Sequence, residues 1–372
     1  MSNDTTLKAA ESGLHLSIQS GSQTSSVEKR NRLSFRFFKR KYQTIYEYLE
    51  FTRGYKFMLF FLFGGTLFAF SIQRLTYLDI ENRFCPAVPS LVGNTGEASM
   101  CYWVKNFTQY KVGILLHLAT ILPACILGVV QFLPIVRHKW LLYHRIAGYI
   151  IICLITVSNV GYLLLADIAE GGDLPTQTFL GLLALVVTTM LCLAIYNIKK
   201  LQIDQHRNWM LRVFIYMGFV ITQRVLLVII PLILTTWPSI DRQALLSCRE
   251  IQWLYFGNET MLYTNYPACL PENLIFAPHG KVLVDPKLGS APDTDRARDA
   301  AAFNVAFSTA GFLAIVFHAF IAELYITLTP KTAAMLREVS YRKQSERGWK
   351  NAGSAGLVAE RLGDSEPWNT PR

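Results

Sequence analysis

The chain has 372 residues, 52% hydrophobic and 17% charged, with mean hydropathy +0.28 and a formal net charge of +10. Soluble domains carry about 25% charged residues, so a soluble globular protein is excluded. The basic residues flank apolar runs instead of forming one exposed stripe, which excludes nucleic acid as the partner and leaves the lipid bilayer. The fold class is therefore all-α, a polytopic membrane bundle.

From the N-terminus, residues 1–26 are polar, without a basic stretch leading into an apolar one, and are expected to be a disordered tail with no signal peptide. No lipidation pattern is visible at either end. The segment "RNRLSFRFFKRKYQTIYEYLEFTRGYK" mixes Arg and Lys with Phe and Tyr. It reads as an interfacial helix or as a solvated basic linker. Six apolar runs follow, at about 55–76, 112–136, 145–166, 176–198, 209–236 and 301–329, each able to cross roughly 30 Å of hydrocarbon. Residues 1–54 and 331–372 are then flanking tails, and 55–330 is the transmembrane domain, with a core at 112–230 and a long loop at 237–300. That loop reads either as a cap or as a loose insertion.

Basic residues concentrate before the first run, in "RHKWLLYHR", in "KKLQIDQHRNWMLR" and after the sixth run, whereas "DIAEGGDLP" carries three acids and no base. Both termini are therefore expected in the cytosol, in an endomembrane or plasma membrane. The sequons at Asn106 and Asn258 fall on the opposite, lumenal side, with Asn258 the better placed for glycosylation. Cys85, Cys101, Cys248 and Cys269 lie there too, and at least one disulfide among them is expected. Cys125, Cys153 and Cys192 fall within the runs, as small apolar packers.

Two returning runs open on the same dipeptide: His144-Arg145 and His206-Arg207. They make a weak parallel repeat that sets both histidines at one depth on the cytosolic side. One reading is interfacial anchoring, with arginine on lipid phosphate beside the belt residues Tyr149 and Trp209. The other makes the imidazoles a pair that exchanges protons or ligates haem b, with Arg145 and Arg207 on the propionates. Zinc is disfavoured, since nothing completes four ligands. Deeper lie His117, about 7 Å inside the second run, and Arg224 near the middle of the fifth, with Asn159 and Tyr162 at similar depth. Together they read as a polar pocket for an anionic or carbonyl group, or as a structural hydrogen-bond network. His318 and Glu323, five residues apart in the sixth run, do not share a helical face.

The set His117, Gly128, Gln131-Phe132, His144-Arg145, Gly148, Asp204, His206-Arg207, Trp209-Met210, Arg212 and Arg224 resembles an uncharacterised family of multi-spanning membrane proteins of bacteria and fungi, over about residues 112–230. "HRxWMxR" is the specific part of the match and "HRxxG" the weaker part. The resemblance implies a four-helix module and no established activity. For fungal members with added flanking spans it implies a place beside secondary-metabolite pathways. The histidine pairing is also similar, more loosely, to four-helix transmembrane cytochromes b, from which it departs by lying at the membrane rim. Three functions fit: a membrane-embedded redox or catalytic protein acting on a lipid-soluble small molecule through His117, His144, His206 and Arg224; a transporter or channel; or a non-catalytic scaffold.

Overall fold

The computed structural model describes residues 40–86, 98–237, 242–273, 280–289, 295–366 and Trp368. The expected tail at 1–26 and the start of the basic segment lie outside the described residues. The rest of that segment includes a helix at 40–48.

The molecule is an all-α polytopic bundle with six spans among the described residues: Gly54–Leu78, Thr108–Gln131, Leu141–Leu163, Leu174–Lys199, Ile203–Thr236 and Arg296–Thr327. The second ends five residues before its apolar run does. Leu133 is extended, and Pro134, which lacks an N–H, starts a separate short helix, Pro134–His138. The third and fifth begin four and six residues before their apolar runs, so each His-Arg pair lies one turn inside its helix. Asp173 caps the fourth span by accepting from the Thr176 amide at 2.8 Å. The fifth breaks at Gly218 into Ile203–Met217 and Phe219–Thr236.

The chain divides into two compact units. In the first, residues 1–64 with 131–144, Glu50 accepts from His138 at 2.7 Å and pairs with Lys139 at 3.0 Å. The Lys139 ammonium, then the His138 ring, hold its carboxyl below the usual range. Phe51 and Tyr42 meet Phe57 edge to face, and Gln131 Nε2 donates to the His144 carbonyl at 3.0 Å.

In the second unit, 65–130 with 145–372, the spans pack through small residues, which let backbones approach where lipid supplies no hydrophobic drive. On the sixth span Ala300, Ala306, Ala310, Gly311 and Ala314 are buried. The Phe179 ring fills the space above Gly311, where a Cβ would come within 2.5 Å of it. Gly113 and Gly161 bring the second and third spans together, and a Cβ on Gly161 would stand 2.7 Å from the backbone nitrogen of His117.

The loop after the fifth span is a packed cap. β1 (Ala244–Ser247) pairs antiparallel with β2 (Lys281–Val284), in the register Ala244 to Val284. Helices Cys248–Leu254 and Glu259–Asn265 cover the pair. Disulfides Cys248–Cys269 and Cys85–Cys101 bear out the expected bridging and settle the pairing. Ser99 donates to the Glu250 carboxyl between the two disulfide-bearing loops. Asp295 caps the sixth span and accepts from the Tyr255 and Tyr266 hydroxyls, so the cap is fastened to that helix.

Candidate functional site

His206 is the fourth residue of the fifth span, as His144 is of the third. His206 Nδ1 lies 2.9 Å from the Ala194 carbonyl on the fourth span. A carbonyl only accepts, so Nδ1 carries the proton and Nε2 holds the lone pair. A histidine fixed this way by a backbone carbonyl is oriented as metal-ligating and proton-accepting histidines are. No hydrogen bond to Nε2 occurs among the described residues. Arg207 is half-buried beside it. Its guanidinium donates to Asn208 at 3.0 Å and to Thr329 at 3.1 Å, and lies over the Tyr325 ring. His144, in the first unit, is half-buried, and Arg145, in the second, is exposed.

Beneath His206 the turn from the fourth to the fifth span is locked by the C-terminal segment, through a buried polar network that sequence reasoning missed. Asp204 accepts from Gln202 at 2.7 Å and Ser340 at 3.1 Å, and pairs with Arg337 at 3.4 Å. Arg337 also holds Glu360 at 2.9 Å. Gln202 Oε1 accepts from the Gly356 amide at 3.0 Å, and Gln344 Oε1 from the Gly353 amide at 2.6 Å. A Cβ on Gly356 would stand 2.4 Å from Gln202 and 2.6 Å from Asn197, so only glycine passes there. Arg337, Ser340 and Gln344 are spaced i, i+3, i+7 on the helix Pro330–Ser345. That polar stripe was the one available signal.

Among the deeper polar residues, contacts are described for His117 and Asn159. His117 Nδ1 lies 2.8 Å from Ser158 Oγ, and its ring stands 5.3 Å from that of Tyr162. Asn159 turns the other way and donates to Thr188 on the fourth span at 3.1 Å. Arg224 is half-buried on the fifth span, next to buried Gln223.

His318 and Glu323 serve separate contacts. His318 Nδ1 donates to the Ile215 carbonyl at 2.7 Å, where the Gly218 break loosens the helix ladder, and Nε2 accepts from Thr222 at 2.9 Å. Both nitrogens are used, which marks His318 as a brace for the break. Glu323 accepts from Arg212 Nε at 2.6 Å and from Nη2 at 2.9 Å. The guanidinium also lies 4.6 Å from the Trp209 ring centroid. Arg212 of the "HRxWMxR" motif thus pins the fifth span to the sixth, with Trp209 stacked against it.

For metals, no group of three or more His, Cys, Asp or Glu side chains converges among the described residues. For haem, His206 offers the donor chemistry of one axial ligand, while Arg207 is engaged with Thr329. On the disulfide side, Asn106 is exposed and donates to the Tyr102 carbonyl at 2.7 Å. Asn258 is exposed and caps the helix Glu259–Asn265 through its oxygen, which accepts from Met261 at 3.0 Å. Its amide nitrogen, the atom a glycan takes, is not used in that cap.

Fold and site together define a multi-pass helical membrane protein. Residues 114–249 match the family described as Predicted membrane protein (DUF2306), and the resembling residues from His117 to Arg224 all fall inside that stretch. The match covers just over a third of the chain and includes most of the second span, the third to fifth spans and β1. Neither the curated proteins nor the solved structures give a match.

Proposed function

We propose that this chain is a membrane-embedded redox or catalytic protein acting on a lipid-soluble small molecule, with His206 as its reactive or iron-ligating group. The observation that carries the reading is the fixed tautomer: the Ala194 carbonyl accepts a hydrogen bond from Nδ1–H, and Nε2 keeps its lone pair at the membrane rim. Such a nitrogen accepts a proton in general base catalysis or donates to haem iron. Arg207, His117 and Arg224 are the further polar groups that would orient an anionic or carbonyl substrate, and His144 is the matched histidine of the repeat. The His-Arg side faces the cytosol in this reading, with both termini on it.

The optical spectrum of detergent-purified protein, oxidised and then reduced, tests the cofactor. A Soret band that shifts on reduction and is lost in His206→Asn assigns iron ligation to His206. A featureless spectrum leaves His206 the role of base. A Soret band unaltered in His206→Asn contradicts the assignment to this residue.

A further inference from the structure

A cavity of ≈ 570 Å³ opens in the disulfide-bearing cap, lined among others by Tyr102, Lys105, Arg249, Gln252, Trp253 and Phe256. Its size lies within the range of small-molecule sites, roughly 300–1,000 Å³. Its lining holds two cations and no carboxylate. Glu250, next to Arg249, turns inward onto Ser99. Glu81 is held by Lys111 at 2.7 Å. Glu259 stands outside the lining, accepting from Gln252 at 3.3 Å.

Three aromatic rings share the wall with these cations. Tyr102 and Trp253 meet edge to face at 6.5 Å. Phe256 has φ +55°, in the left-handed region that a bulky aromatic residue rarely adopts, ahead of Gly257 at φ +80°. The residue is 58% exposed and closes the helix Cys248–Leu254 as its left-handed cap, with the Gly257 amide donating to the Gln252 carbonyl at 2.8 Å. Its ring lies under the Arg296 guanidinium, 4.5 Å from the centroid, a cation–aromatic contact beside the wall. The wall is also braced covalently: Pro86, Tyr102 and Arg249, all in the lining, directly follow the disulfide residues Cys85, Cys101 and Cys248.

We propose that this cavity binds a small organic anion bearing an aromatic ring, with the acid group on Arg249 and Lys105 and the ring against Trp253, Tyr102 and Phe256. The site is separate from His206, and its test does not depend on the reading of that residue. Full-length protein in nanodiscs is titrated with 4-(trifluoromethyl)benzoate and with its neutral amide, read by fluorine NMR line broadening. The benzoate is expected to bind saturably, and the amide at least about tenfold more weakly, which is about 1.4 kcal/mol. Lys105→Gln with Arg249→Gln should lower benzoate affinity by at least the same factor while both disulfides and the elution volume are kept. Phe256→Gly relieves the positive φ, so it should preserve or raise thermal stability while weakening binding. No saturable benzoate binding, equal binding of the amide, or undiminished binding by the double variant would each overturn the proposal.

Discussion

Glu250 is a buried carboxyl whose surroundings decide its charge. Burial is the main influence and pushes its pKa from 4.5 to about 7, against the hydrogen bonds from Ser99 and the Ser247–Glu250 turn. A carboxyl raised in the folded state binds its proton more tightly there than in the unfolded chain. Its contribution to stability is therefore fully present below about 4.5 and lost as pH rises towards about 7. The expected outcome is a cap that melts at lower temperature at pH 7.5 than at pH 5, followed by tryptophan fluorescence. Glu250→Gln keeps a hydrogen-bonding group without the titration and should flatten that difference. An unchanged pH dependence in the variant would assign it to another group. His206 poses the complementary question, because one of its nitrogens is structural and the other is open. Asn places an amide nitrogen where Nδ1 stands and has nothing at the position of Nε2, so His206→Asn separates anchoring from chemistry.

Among the elements, the docked C-terminal segment makes the sharpest demand. Asp204 and Glu360 flank a buried Arg337, and deleting one partner of a buried ion pair costs about 3–5 kcal/mol because a charge is left uncompensated. Asp204→Ala is expected to free the segment beyond the helix Pro330–Ser345, and trypsin should then cut at Arg347 and Lys350 faster than in the parent protein. Asp204→Asn, which can still accept from Gln202 and Ser340, should show a smaller acceleration. Equal cleavage rates in all three would mean that the segment is held by other contacts. Little of this was legible beforehand. Apolar runs located all six spans, because burying twenty residues in hydrocarbon is a local requirement. Span ends were less legible: helices stop where backbone hydrogen bonds stop, as at Leu133, and start inside polar stretches, as at Ile203. Two partners of Asp204, Arg337 and Ser340, lie more than 130 residues away, and no periodicity connects Gln202 to Gly356. β1 and β2 are four residues each, too short to stand out inside a long loop.

For the whole molecule, six crossings would put the two disulfide-bearing loops on one side and the His-Arg turns with the C-terminal segment on the other. We expect the disulfide side to face the lumen or exterior, as the basic residues of the turns require. Asn258 should then gain a glycosidase-sensitive mass, and cysteines placed at 137–140 should label only from the cytosolic side. Labelling from the opposite side would invert the orientation. The central claim concerns His206, and it is tested most directly by comparing lipid extracts of cells that express the parent chain, His206→Asn, or no copy, at matched levels of inserted protein. The account predicts a lipid-soluble compound whose abundance depends on the parent chain and returns to the no-copy level in His206→Asn, although that variant keeps the bond to Ala194 and its thermal stability. A variant extract indistinguishable from that of the parent would contradict the account and leave His206 an anchor between the fourth and fifth spans.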